Sequence, residues 1–286
     1  MKSKLVALAL GLAALSAQAA PTFAFKNVPA GWDGAFSIKL SGFESFAGDP
    51  FAAGTQNFGV LKITSIQTIG FGTATIWADG DNGAELTGVF GGITTDASSG
   101  GLSLRSTGGK ASFFLNAAGS YTTAGGAAQG LAGYAAAGGG CAINALCYNG
   151  ISNVAGGVSF LTADYVPGIL GLASPITVSG ALDLASPLSG VAQGYLSVTG
   201  GSFGDYFDTN ALLGGLADLL AKNSFCTVDN GVCAKYADVG GSGPNGWQLA
   251  IDDPVKGYVK LPEPASLALV GAALLGLGFA RRRKSA

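Results

Sequence analysis

Phe36-Ser37-Ile38-Lys39-Leu40 places an apolar side chain at every second position. Because successive side chains of a β-strand point to opposite faces of the sheet, this alternation predicts a strand with one buried face. The same alternation recurs along the chain at Ile176, Val178, Leu182, Leu184, Trp247, Leu249 and Ile251. Gly, Asn and Asp separate these stretches, as in strands joined by tight turns. The sequence therefore predicts a mostly β protein, with an antiparallel β-sandwich as its architecture.

Residues 208–222 depart from this alternation and carry leucines at the spacing of a helix. The leucines are Leu212, Leu216, Leu219 and Leu220. Asp208 or Thr209 suits the N-terminal end of a helix, and Lys222 suits its C-terminal end. We therefore expect one short helix here, despite Gly214 and Gly215.

Residues 117–140 consist mostly of Gly and Ala. Such residues offer little side-chain area to bury, so the segment favours a flexible connection or a loosely packed helix. It is a candidate boundary between two lobes.

The C-terminal segment, residues 261–286, has three blocks. Pro262-Glu263-Pro264 comes first, followed by sixteen uncharged residues, 265–280, and then by Arg281, Arg282, Arg283 and Lys284. A helix of that length spans about 24 Å, which makes it a minimal transmembrane helix for a bilayer core of about 30 Å. The basic cluster predicts that its C-terminal side is cytoplasmic.

These three blocks resemble the PEP-CTERM sorting signal of Gram-negative bacteria. The residues that carry the resemblance are Pro262, Glu263, Pro264, Arg281, Arg282 and Arg283. The resemblance implies that an exosortase-type membrane protease cleaves the chain near Pro-Glu-Pro. It also implies delivery to the cell surface or to an exopolysaccharide matrix, and it covers only the tail.

The N-terminal segment, residues 1–19, has the three parts of a secretory signal peptide. Lys2 and Lys4 precede the apolar run 5–15, and Ala17-Gln18-Ala19 supplies the small residues before a cleavage site. The sequence thus predicts export by the secretion machinery and an extracellular passenger of residues 20–260.

The passenger is acidic. Six of the 15 cations and one of the 17 anions lie in the two terminal segments, which leaves a net charge of about −7. A protein that binds nucleic acid needs Lys and Arg to neutralise phosphates, so nucleic acid is not an expected partner.

Four cysteines form two local pairs, Cys141 with Cys147 and Cys226 with Cys233. In an exported protein an even count in local pairs predicts two disulfides. A four-cysteine zinc site is the alternative, but the spacings are longer than usual and an oxidising compartment disfavours free thiolates.

The chain contains no histidine, which excludes Ser-His-Asp and Cys-His catalysis. Gly200-Gly201-Ser202-Phe203-Gly204 has the spacing of a nucleophile elbow, but it is interpreted as a glycine-rich turn because no base accompanies it. Carboxylate chemistry needs only two acidic residues. The candidates are Asp79, Asp81, Glu85, Asp205, Asp208, Asp252 and Asp253, and they form no catalytic pattern.

Residues 79–85 place Asp79, Asp81, Asn82 and Glu85 where their oxygen atoms could surround Ca²⁺. The simpler interpretation is a metal-free hairpin turn between residues 73–78 and 86–93, with glycines at positive φ. No cofactor is expected.

Trp32, Trp77 and Trp247 could stack on sugar rings, although core packing is the commoner role of such side chains. Together these features predict an exported, noncatalytic structural or adhesive protein associated with exopolysaccharide or biofilm. The alternative is a carboxylate-dependent glycan hydrolase with the same sorting tail.

Reduction of the folded protein should lower its melting temperature. Two disulfides that close small loops contribute about 3 to 5 kcal/mol, mainly by restricting the unfolded chain. Thermal melting with and without reductant measures the effect. An unchanged melting temperature, or four free thiols in the oxidised protein, would contradict the two disulfides.

Overall fold

A computed structural model of the chain describes residues 21–47, 49, 51–70, 72–121, 152–183, 189–227, 249–252 and 254–260. The signal segment 1–19, the sorting segment 261–286 and residues 122–140 of the Gly/Ala stretch lie outside the described residues.

Antiparallel strands make up most of the described chain, which confirms the predicted β class. The strands are β1 (Ala35–Phe46), β2 (Gln56–Thr68), β3 (Thr75–Ala78), β4 (Ala84–Thr95), β5 (Ser103–Ala117), β6 (Val158–Tyr165), β7 (Ile176–Asp183), β8 (Ser189–Gly200), β9 (Leu219–Thr227), β10 (Leu249–Asp252) and β11 (Val255–Tyr258). Two single-turn helices accompany them, α1 (Ser152–Ala155) and α2 (Gly204–Phe207).

The sheet closes on itself through β1. One edge of β1 pairs with β2, and its other edge pairs with β11 near Ala35 and with β10 near Phe43. From β2 the ring continues through β4 and β5, then through β6 and β7, which lie end to end between β5 and β8, and it returns through β9. Strands β10 and β11 join β9 to β1. All described strands therefore belong to one sheet, and the prediction of a sandwich of two sheets is wrong.

The interior of the ring is apolar because the alternating positions of neighbouring strands meet there. Phe36, Ile38 and Leu40 are buried in the core, whereas Lys39 between them is exposed. Ile38 lies opposite Ile66, and a bulge in β2 brings Leu40 opposite Ile63. The predicted alternation is confirmed here. Ile176, Val178, Leu182, Leu249 and Ile251 are buried as expected, whereas Leu184 and Trp247 lie outside the described residues. Thr177 and Ala250 between them are buried too, so a solvated opposite face is not confirmed at these two positions.

An aromatic cluster fills the end of the ring at which β1 begins. Phe36 packs edge-on against Phe207 of α2, with ring centroids 5.4 Å apart, and Phe207 lies 5.7 Å from Phe160. The N-terminal Phe23 contacts Phe160 and Trp77. Because these rings are contributed by distant parts of the chain, they hold the extended residues before β1 against the sheet.

The short helix expected over residues 208–222 is not present. The only helical turn in this region of the described chain is α2, which ends at Phe207, and Leu219 already belongs to β9. Gly214 and Gly215 adopt φ values of 70° and 102°, which no right-handed helix accommodates.

The buried carboxylate of Asp218 fixes this non-helical path. It accepts hydrogen bonds from the backbone N–H groups of Val198, Thr209 and Asn210. Such bonds compete with the helical hydrogen-bonding pattern. The leucine spacing was therefore misleading, because Leu219 serves as a core residue of a strand.

Residues before and after the Gly/Ala stretch belong to the same sheet. β5 ends at Ala117, and it pairs directly with β6, which follows the stretch. The described strands on the two sides therefore do not form two separate lobes.

The substitution Asp218→Ala should lower the free energy of unfolding by about 3 kcal/mol, because it leaves three partly buried N–H groups without their charged acceptor. Denaturant titration measures the loss. Asp205→Ala serves as the control, since Asp205 is exposed on α2. A loss of less than about 1 kcal/mol for Asp218→Ala would contradict this role.

Candidate functional site

The sorting segment leaves the sheet at a defined point. After β11, the N–H of Val259 donates to the carbonyl of Gly34 at 3.0 Å, and the N–H of Lys260 donates to the carbonyl of Tyr206 at 2.7 Å. These two bonds hold the last described residues against the aromatic end of the ring. Pro262, Glu263, Pro264, Arg281, Arg282 and Arg283 follow, outside the described residues.

Residues 79–85 form a turn whose glycines have the expected positive φ, at Gly80 and Gly83. Asp81 begins a short 3-10 turn, and Asn82 also adopts positive φ. The turn is not a hairpin, however. Strands β3 and β4 both pair with β2, at different positions along it, and they do not pair with each other. The prediction of a hairpin is therefore wrong, although the prediction of a turn is confirmed.

Lysine side chains pair with the three carboxylates proposed as calcium ligands. Lys62 Nζ lies 2.7 Å from Asp79 and 3.3 Å from Glu85, and Lys26 pairs with Asp81. Burial alone would lower the pKa of Lys62. The hydrogen bond to Asp79 and the negative charges of Glu85 and Asp79 more than offset that effect, so its pKa is raised.

The cations that pair with the carboxylates of this turn are lysine side chains of the protein itself. The pKa of Asp81 is lowered, chiefly by the hydrogen bond from Lys26. Within the described ranges, no three Asp, Glu, Cys or His side chains are grouped so that they could hold a metal ion. The calcium interpretation of Asp79, Asp81, Asn82 and Glu85 therefore gains no support from the arrangement of their side chains.

Glu85 also anchors the chain that follows β5. Its carboxylate is buried and accepts backbone hydrogen bonds from Gly119 and Tyr121. Burial, together with the charge of Glu85, raises the pKa of the Tyr121 hydroxyl. Lys62 and Glu85 thus fix the start of the Gly/Ala stretch to the outside of the sheet.

A polar group lies inside the ring near a small cavity. Glu44 of β1 accepts a hydrogen bond from the side-chain amide of Asn57 on β2. The cavity, with a volume of about 20 Å³, is lined by Tyr165, Asn223 and apolar side chains. Burial raises the pKa of Glu44 from 4.5 to about 7, and the hydrogen bond from Asn57 offsets this only in part. Burial and the nearby Glu44 also raise the pKa of Tyr165.

Glu44 is a buried group that the predictions from sequence did not include. The signal was present, because alternation continues from Phe36 through Leu40 and assigns Glu44 to the inward face of β1. A carboxylate on an otherwise apolar face is the feature that would have revealed it.

The other candidate site residues are not brought together. Trp32 and Trp77 are buried in the core and are not available to stack on a sugar, whereas Trp247 lies outside the described residues. Ser202 lies in the turn between β8 and α2, as expected, and its N–H donates to the carbonyl of Ser159. The remaining carboxylates are Asp205 on α2, Asp208 after it and Asp252 on β10, whereas Asp253 is outside the described residues.

The disulfide prediction concerns mostly undescribed residues. Cys226 is buried in β9, and Cys141, Cys147 and Cys233 lie outside the described residues. The pairing of Cys141 with Cys147 and of Cys226 with Cys233 stays a prediction.

Fold and tail together define an antiparallel β module whose last strand leads within a few residues into a C-terminal sorting segment. Residues 261–284 match the family model of the PEP-CTERM protein-sorting motif. The chain thus carries the sorting signal that its tail resembles. No curated protein and no solved structure gives a significant match.

The motif marks this chain as an exported protein that is sorted and processed by exosortase, a membrane protease, with a transient membrane anchor. The described residues contain no helix of the length and apolar character that crossing a bilayer requires. The apolar run 265–280 lies outside the described residues.

The substitution Glu44→Gln should stabilise the protein at pH 8 but not at pH 4. Between pH 4.5 and about 7 the folded state binds more protons at Glu44 than the unfolded state does. The free energy of unfolding therefore falls as pH rises through this window, by about 3 kcal/mol in total. Glutamine removes that loss because it does not ionise.

Thermal melting of both proteins at pH 4 and pH 8 measures this effect. Asp205→Asn is the control, because it makes the same kind of carboxylate-to-amide change at an exposed position on α2. An equal stabilisation by Glu44→Gln at the two pH values would show that ionisation of Glu44 is not the cause.

Proposed function

We propose that this protein is a noncatalytic structural or adhesive component of the cell surface or of an exopolysaccharide matrix. The observation that carries the proposal is the PEP-CTERM motif at residues 261–284, directly after the last strand of the sheet. The N-terminal segment 1–19, with its signal-peptide pattern, supports the same route of export. The basic residues Arg281, Arg282 and Arg283 support a cytoplasmic C-terminus before cleavage.

The described carboxylates favour a structural role over catalysis. A glycosidase needs one carboxyl group that stays protonated and a second that faces the sugar. Asp79 and Glu85 are close neighbours because they share Lys62, so both carboxylates are engaged in ion pairs with a lysine of the protein itself. Glu85 is also buried beneath its backbone donors, so it is poorly placed to reach a polysaccharide.

The end of the ring opposite the sorting segment offers a surface for adhesion. β1 begins beside Tyr258 and ends at Phe46, so the loop after Phe46 lies at that far end. Phe51 in this loop is 38% exposed. The N–H of Gly54 donates to the carbonyl of Thr95, which joins this loop to the turn after β4. An exposed aromatic ring on a fixed loop suits weak stacking on neutral sugars.

The surface-extracted protein should bind the producing organism's own exopolysaccharide without cutting it. Retention on the polysaccharide should be nearly independent of salt, because stacking releases no counterions. Phe51→Ser should weaken retention about fivefold, which corresponds to the loss of about 1 kcal/mol of aromatic contact. Tyr206→Ser is the matched control, since Tyr206 is similarly exposed at the opposite end.

The same incubation is assayed for new reducing ends. Their steady release by the wild type, abolished in Asp79→Asn and kept in Asp205→Asn, would identify a glycan hydrolase and overturn the structural role. Absence of retention would overturn polysaccharide binding while leaving exosortase sorting untouched.

A further inference from the structure

The loop between α2 and β9 exposes two large apolar side chains to solvent. Leu213 is 43% exposed and Leu216 is 59% exposed, although both are large aliphatic residues. Exposed apolar side chains that cluster on one loop mark a contact with another apolar surface more often than singly scattered ones do.

The backbone holds these two leucines outward. Leu212 and Ala217 form an isolated antiparallel bridge, which closes the loop at its base. Leu213 adopts φ = 52°, a left-handed conformation that costs energy because the Cβ atom crowds the following carbonyl oxygen, and that suits Gly or Asn better. The buried Asp218 fixes the stem through its backbone hydrogen bonds. A strained, anchored loop thus presents leucines to the outside.

This loop lies at the end of the ring from which the sorting segment leaves. Leu219, two residues after the loop, pairs with Gly257 of β11. The N–H of Lys260 donates to the carbonyl of Tyr206, which precedes the loop and is itself 42% exposed. Loop, tyrosine and exit point therefore share one end, which we call the tail-side end.

The length of chain beyond Lys260 keeps this end near the membrane. The uncharged run of the tail begins at Ala265, five residues after Lys260. Even a fully extended chain spans at most about 18 Å over five residues. As long as the tail anchors the protein in the membrane, the tail-side end cannot lie farther than this from the start of the apolar run.

We propose that Leu213 and Leu216 insert into the lipid surface in which the tail is anchored, and that Tyr206 lies at the level of the headgroups. Aliphatic residues partition into the interfacial region, and tyrosine is enriched at its boundary. The exposed charges nearby are mixed, with Lys256 and Lys260 facing outward together with Asp205. Contact therefore depends on the apolar side chains and is largely insensitive to salt.

Insertion gives the passenger one orientation before cleavage. The tail-side end faces the lipid, and the loop that carries Phe51 faces away from it. The inference rests on the sorting motif and the tail-side geometry, and it does not depend on polysaccharide binding.

Tryptophan fluorescence of the full chain, reconstituted through its own tail, tests the contact. The vesicles contain phosphatidylethanolamine and phosphatidylglycerol, with ordinary or brominated acyl chains. The fluorescence of the wild type, which comes from its own tryptophans, is subtracted as background. The fluorescence that Leu216→Trp adds should fall by about half or more in brominated vesicles, because bromine quenches at the depth of an interfacial residue. Leu102→Trp is the matched control: Leu102 is 57% exposed at the far end, and its added fluorescence should not change.

Absence of quenching for Leu216→Trp would overturn the proposal and would leave a protein partner as the occupant of the loop. Equal quenching of both variants would overturn it as well, because the contact would not be confined to one end. Leu213→Asn, combined with Leu216→Trp, should reduce the quenching while the melting temperature is kept, since Asn tolerates the left-handed conformation. Unchanged quenching in this double variant would overturn the role of Leu213.

Discussion

The pairing of β1 along both of its edges is the constraint on which the rest of the structure depends. β2 lies along one edge, and β10 and β11 lie along the other, more than 200 residues later in the chain. The close approach of β1 and β2 requires glycine at position 59. A side chain at Gly59 would start 2.3 Å from the carbonyl oxygen of Phe43 and 2.4 Å from the ring of Phe90. Because the ring is closed, the inward residues of every strand share one core.

Closure also decides how buried carboxylates are accommodated, and the three that are buried in the described chain differ in their partners. Asp218 accepts three backbone hydrogen bonds, and Glu85 has Lys62 together with two backbone donors. Glu44 has one neutral donor, Asn57, and its pKa rises to about 7. The three carboxylates therefore differ in the number and charge of their partners, and Glu44, with a single neutral donor, makes the stability of the fold depend on pH.

The sorting tail and the fold are coupled through the last strand. β11 completes the ring between β1 and β9, and two further residues are bonded to the module before the motif begins, Val259 to Gly34 just before β1 and Lys260 to Tyr206 of α2. The ring can therefore close only once β11, the last strand of the described module, has been exported. A membrane anchor so close to a rigid module favours a defined orientation at the lipid surface, which a long linker would not.

The sequence by itself determined that the chain carries a sorting tail and that its fold is mostly β, because local sequence patterns specify both. Pro262-Glu263-Pro264 with its apolar run and Arg cluster needs no folded context, and period-two alternation at Phe36, Ile38 and Leu40 reports a half-buried strand. Gly80 and Gly83 likewise marked a turn through their own conformational preference.

Only the tertiary structure decided that the sheet closes, that residues 208–222 do not form a helix and that Glu44 is buried. Partners of a strand are chosen by contacts between residues far apart in sequence, which no local pattern specifies. The leucine spacing near Leu219 was overridden by Asp218 and by pairing with β8 and β11. An isolated segment cannot reveal such bonds, because their donors and pairing partners are supplied by other strands.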